Sequence, residues 1–274
     1  MPLPDLWRDL LACLKLHADP TNDPASAVRM YTGRNQQLGY HRLFGGQLLA
    51  QSARAAGLAV PGKHVKSLHA LFARPGDTRE PVRYTVERLH EGGSFATVTV
   101  TARQPHGVVA TAAVSLHTPE EGPERQTVDP APAPPGPERR VELHPIPWET
   151  RSAVDLDTPK AEAPEYAFWM RTPAVDIALA PALTVYASDL TPIGTALRPV
   201  EGVTQQDAGT AFTSAVTAHS IWFHRTYRTD GWLFVRQHSP LVAHGRCFGR
   251  GDVLAEDGQL VASFAQEALL RFTG

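Results

Sequence analysis

The sequence predicts an α+β protein built twice from one unit, a long helix followed by an antiparallel meander of strands. Each half holds one apolar segment at helical spacing and then four runs with strand-like alternation. The final strands lie over the earlier ones at a shift of 150 positions, so the order of elements repeats. Between the halves, residues 119–147 hold nine prolines, too many for an ordinary element and typical of an extended linker. The expected division is a first unit over 1–118, including a short N-terminal helix, a proline-rich linker over 119–139, and a second unit over 140–274.

With 274 residues and 42% hydrophobic content, the chain can bury a substantial core. A formal net charge of -2 gives no basic field for nucleic acid, and no apolar run is long enough to span a membrane. Met1 to Asp5 lacks a basic region leading into an apolar one, so the cytoplasm is the expected compartment. Cys13 and Cys247 are too few for a disulfide framework and lack metal-ligating neighbours, which makes both buried hydrophobes.

Leu6, Leu10 and Leu14 mark a short amphipathic helix ending before Asp19-Pro20, expected as a lid or brace. Val28 to Gly33 reads as a first strand. The segment 44–56 reads as the first long helix, with Gly45 and Gly46 letting another group approach its amide donors. Strands follow at 65–74, 81–90, 94–103 and 108–117, with turns at 74–77 and 91–93. Past the linker, strands are expected at 140–143 and 166–171, then the helix 181–197, then strands near 211–225, 231–239, 244–253 and 259–271.

Under the constant shift, 65–75 lies over 215–225 and matches His69 to His219 and Phe72 to Trp222. Likewise 110–117 lies over 260–267, which sets Leu116 against Gln266, and at a shift of 142 Gln47 takes the place of Asp189. A helix and meander occurring twice describe a tandem hotdog, two antiparallel sheets each wrapped round a long helix and joined into one continuous sheet.

Asp189 is the anomaly of the second helix, a carboxylate beside the face formed by Leu183, Tyr186, Ala187 and Leu190. Pro192 removes the bond to the Ser188 carbonyl, so the helix should bend or reset beside the acid, bringing a carbonyl, a hydroxyl and a carboxylate together. A plainer alternative is that Asp189 or Ser188 caps a restarted helix. On the last strand, Leu260, Ala262, Phe264, Gln266, Ala268 and Leu270 share one face, and Gln266 is its only polar member. A buried amide without partners costs about 1–3 kcal/mol, so Gln266 needs a partner, and Asp189 is the candidate, directly or through water. The competing reading is a polar tie between helix and sheet.

Several motifs occur together and in order: YTGRNQQLGYHRLFGGQLLAQSARAA, SLHALFARPGD, YASDL, HSIWFHR and LVASFAQEALLR. In these the chain resembles the type II acyl-CoA thioesterase family from about Val28 to the end, apart from the linker. The resemblance implies a double hotdog that hydrolyses fatty acyl-CoA to the acid and free coenzyme A. It also implies water activation by an Asp, a Thr or Ser, and a Gln, with the Asp on Asp189 and the Gln on Gln266. The third position, three residues before the His of HSIWFHR, is Val216, and the family's acidic residue before that His is replaced by Ala218. Thr217 could serve only through a bulge or register shift, while Ser214 and Ser220 share the face of Val216 in a regular strand.

Asp189 is therefore expected as base or water-orienting carboxylate, Gln266 as the amide that fixes the water, and Gly46 and Gln47 as backbone donors to the oxyanion, or else as a site of tight helix packing. No metal or redox cofactor is expected. His219 and His224 are five apart and fall on opposite strand faces, each structural or on the surface. A G-x-S-x-G elbow is absent, and the Asp189 segment has no His for hydratase chemistry. Arg74, Arg225 and Arg228 are candidates for coenzyme A phosphates or ordinary solvated charges. The expectation is a hydrolase of medium- or long-chain acyl-CoA, forming homo-oligomers of double-hotdog protomers. The alternatives are a non-hydrolysing acyl-CoA binder and an interaction protein.

Overall fold

The computed structural model describes residues 2–273. They divide into two compact units, one running through Arg125 and including Ala178–Tyr186, the other comprising Gln126–Ile177 and the chain from Ala187 onward.

In the first unit, α1 (Leu3–Cys13) begins with a proline in its first turn and buries Leu6, Trp7, Leu10 and Cys13. It acts as a brace. Asp9 accepts bonds from Arg34 at 2.7 Å and from the Gln37 N–H at 2.8 Å, so it holds the loop before the next helix. After β1 (His17–Ala18) and β2 (Val28–Gly33) comes α2 (Gly45–Ala59), which ends three residues beyond the point the periodicity predicts. Then follow β3 (His64–Phe72), β4 (Val82–Glu91), β5 (Phe95–Gln104) and β6 (Gly107–His117), each within two residues of expectation. Antiparallel pairing gives the order β1-β2-β4-β5-β6-β3. Alternate residues such as Val82, Tyr84 and Val86 are fully buried, and α2 packs against β2 to β6. Each such apolar side chain contributes about 1.5–3 kcal/mol.

In the second unit the proline-rich segment is extended and anchored. Gln126 donates to the Gly258 carbonyl at 2.8 Å and accepts from the Leu260 N–H at 3.0 Å, while Val128 and Ala131 pack on Trp169, Phe234 and Leu254. The edge strands β7 (Arg140–Val141) and β8 (Glu149–Arg151) are shorter than or absent from the sequence expectation, because Pro145 and Pro147 leave two or three residues on either side, too few for alternation to register. β9 (Glu165–Arg171) agrees. The predicted long second helix is two pieces, α3 (Ala180–Ser188) and α4 (Pro192–Leu197), with Asp189 in the break. Next come β10 (Phe212–Phe223), β11 (Leu233–Ala243), β12 (Arg246–Ala255) and β13 (Leu260–Phe272), in the order β10-β13-β12-β11-β9-β8-β7.

The repeat is therefore real at the level of pairing: β2-β4-β5-β6-β3 in one unit matches β9-β11-β12-β13-β10 in the other. Its register corrects the constant shift of 150. Opposed pairs such as Val98↔Val114 and Leu68↔Val114 in the first unit correspond to Gly249↔Gln266 and His219↔Gln266 in the second. The counterpart of Gln266 is thus Val114 rather than Leu116, and that of His219 is Leu68 rather than His69. His69 opposes the exposed Ala113, so its identity with His219 is a coincidence of sequence.

Candidate active site

The α3–α4 break places Ser188 and Asp189 among the most buried polar residues of the chain, at 2% and 3% exposure. Pro192 lies in the first turn of α4, whose N-cap is Thr191, and no side chain caps it. The plainer reading, in which Asp189 or Ser188 caps the restarted helix, is therefore not realised.

Opposite this break lies the β10–β13 ladder. Val216 pairs with Ala268 and Ala218 with Glu267, leaving Thr217 as an extra residue in a bulge. Directly opposed residues share a sheet face, so Val216, with Ala268, and His219, with Gln266, both lie on the inner face. Ser220, opposite Ala265, faces the other way, which corrects its expected kinship with Val216. Ser214, opposite Leu270, does share the face of Val216.

A chain of buried hydrogen bonds joins the two elements. The Gln266 amide donates through Nε2 to the main-chain carbonyl of Asp189 at 3.3 Å. Its Oε1 lies 2.8 Å from His219 Nδ1, and His219 Nε2 lies 3.0 Å from Ser188 Oγ. An amide oxygen can only accept, so Nδ1 carries the ring proton. In the neutral ring Nε2 is then the acceptor, and the Ser188 hydroxyl donates to it. The ring stacks on Phe264 at a centroid distance of 6.1 Å.

Burial pushes the His219 pKa down to about 4 from 6.5, against a weaker raising effect of the Gln266 bond. The stabilisation from this group is fully present above about 6.5 and is lost as the pH falls through about 4. Between pH 7 and pH 4, wild type will lose roughly 3 kcal/mol more stability than His219→Asn, which has no titrating ring. Chemical denaturation at several pH values measures this, and parallel losses in the two proteins would refute it.

The remaining predicted residues do other work. The Thr217 hydroxyl donates to the Glu267 carbonyl at 3.1 Å and lies 3.3 Å from its carboxylate. The bulge that its participation required is present, but its hydroxyl is engaged by Glu267. Gln47 belongs to the first unit, where its Oε1 accepts the Gln36 N–H at 2.9 Å and its Nε2 donates to Asn35 and Gln51. Its backbone N–H turns back to the Phe44 carbonyl at 3.1 Å. At Gly46 a Cβ would stand 2.6 Å from the Tyr186 carbonyl and 2.5 Å from the Phe44 ring, so glycine there permits close packing.

Residues 119–270 match the family described as acyl-CoA thioesterase C-terminal domain, and residues 33–117 match its N-terminal domain. The chain belongs to the acyl-CoA thioesterase family. Acyl-CoA thioesterase 2 of Haemophilus influenzae is 32% identical over 89% of this chain and 93% of its own length. The crystal structure of an acyl-CoA thioesterase II from Mycobacterium marinum superposes with a TM-score of 0.77 at 30% identity, covering 97% of this chain and 98% of that one. A protein from Alicyclobacillus acidocaldarius described as having a hot dog fold superposes at 0.73 with 18% identity, covering 97% and 98%, and supports the fold alone.

Within this thioesterase family frame, Gln266 meets the backbone carbonyl of Asp189, and His219, expected as structural or on the surface, is the buried link between Gln266 and Ser188. The available signal was positional: His219 lies on the strand that carries Val216, three residues on, and a single bulge puts both on one face.

Proposed function

We propose that this member of the family hydrolyses medium- or long-chain acyl-CoA to the free acid and coenzyme A, with water activated by Asp189 and Gln266. The observation that carries the reading is the buried meeting of the Gln266 amide with Asp189 at the helix break, on an otherwise apolar strand face. Gln266 donates an N–H to the water oxygen, and the Asp189 carboxylate takes a water proton as the hydroxide adds to the thioester carbonyl. Collapse of the tetrahedral intermediate breaks the C–S bond, and the proton held by Asp189 goes to the departing thiolate. The apolar neighbours Ala262, Phe264, Ala268 and Leu270 support an aliphatic acyl group. Assembly into homo-oligomers and a cytoplasmic location belong to the same proposal, the latter supported by two free, buried cysteines. No helix among the described residues is long and apolar enough to cross a membrane.

Release of free thiol from acyl-CoAs of graded chain length tests the reading, and absence of turnover with every substrate would overturn it. A second reading, binding without hydrolysis, is favoured by Val216, an isopropyl group on the inner face where the resemblance calls for a hydroxyl. Val216→Thr restores that hydroxyl and will raise kcat on the order of tenfold with KM little changed. An unchanged or lower kcat would mean that position 216 does not reach the water.

A further inference from the structure

We infer that His219 is a positioning residue for the reaction, fixing which end of the Gln266 amide faces the helix break and tying Ser188, the neighbour of Asp189, to the same strand. The inference rests on the reading of Gln266 as the amide that holds the attacking water.

A glutamine amide has two ends of nearly equal size, and only its surroundings decide which way it points. Here both ends are decided. His219 Nδ1–H donates to Oε1 at 2.8 Å, and the Asp189 carbonyl accepts from Nε2 at 3.3 Å. A flipped amide would oppose donor to donor at the ring and acceptor to acceptor at the carbonyl. The orientation matters to the chemistry because a water between Asp189 and Gln266 needs an acceptor for its proton and a donor for its oxygen. A flipped amide would present a second acceptor and compete with the carboxylate.

The ring itself is locked. Ser188 Oγ holds Nε2 at 3.0 Å, Phe264 stacks on the face, and His219 is fully buried. The groups facing it are thus a hydroxyl, an amide and an aromatic ring, and burial keeps it neutral, so Nδ1 retains its single proton. The other unit supplies a comparison, since the corresponding opposed pair there is Leu68↔Val114. Histidine and glutamine occur together in one unit, and both are replaced by aliphatic residues in the other.

The test compares the full-length protein with three variants, using thiol release from dodecanoyl-CoA. Asn places an amide nitrogen near the position of Nδ1, Gln near that of Nε2, and Phe keeps the ring without either. His219→Asn is expected to keep kcat within about tenfold of wild type, while His219→Gln and His219→Phe fall by about 50-fold with KM within about threefold. Nitrogen-15 NMR of the wild-type side chain is expected to show the Nδ1–H tautomer. Equal losses in all three variants, a change confined to KM, or an Nε2–H tautomer would overturn the inference. If His219→Phe does not fold, the contrast between Asn and Gln decides the outcome. If wild type releases no thiol, the hydrolase reading fails, and the tautomer alone then decides whether His219 orients the amide.

Discussion

Asp189→Asn will lower kcat for thioester hydrolysis by about a thousandfold, the middle of the range for losing a positioned general base. Asparagine has nearly the same shape, so the helix break and the bond from Gln266 to the backbone carbonyl of residue 189 are retained. What disappears is an oxygen able to take a proton. Substrate binding should therefore persist, with KM within a few-fold and the whole loss in kcat. Stopped-assay thiol release and equilibrium binding of a non-hydrolysable acyl-CoA thioether measure the two separately. Retention of more than a tenth of wild-type kcat would remove Asp189 from the chemistry.

Gln266→Leu will lower kcat by roughly 100-fold or more and also destabilise the fold, because it strands a buried donor. With Oε1 gone, His219 Nδ1–H loses its acceptor in a place without solvent, at a cost of about 1–3 kcal/mol. The double change His219→Leu with Gln266→Val, which installs the pair found in the first unit, should recover the part of that stability lost at the stranded ring N–H, though Ser188 then loses its bond to the ring, and should recover none of the activity. Replacing both members of a buried polar pair by apolar groups is nearly neutral, whereas removing one is not. Thermal melts and thiol release on the three proteins check this. A double variant no more stable than Gln266→Leu would show that the pair is not coupled as described.

The main elements were legible because alternation and helical spacing are strong here: seven of the strands from β3 to β13 are ten residues or longer. Asp189 and Gln266 were legible for a related reason, each being one polar residue in an apolar pattern. The proline two residues beyond Leu190 correctly placed the helix break. What sequence could not supply was the bulge at Thr217. Without it, Val216 and His219 fall on opposite faces, and the histidine has no route to Gln266. The internal alignment also erred by one place here, matching His69 to His219 where the bulged ladders make Leu68 its counterpart. The network joining Asn35, Gln47, Gln51 and Tyr84 was equally invisible, since no periodicity marks a glutamine that bonds along its own helix and to a distant tyrosine at 2.6 Å.

Both β3 and β10 carry one surplus residue, between Val65 and Ser67 in the former and between Val216 and Ala218 in the latter. Each works as a half-step in the strand's rhythm, so that odd positions do on one side what even positions do on the other. Excising Thr217 would therefore act less like trimming one contact than like turning half a ribbon over: either His219, Ile221 and Phe223 would swing outward, or Phe212, Ser214 and Val216 would. These two strands should consequently tolerate exchanges of side chains far better than any change in their length.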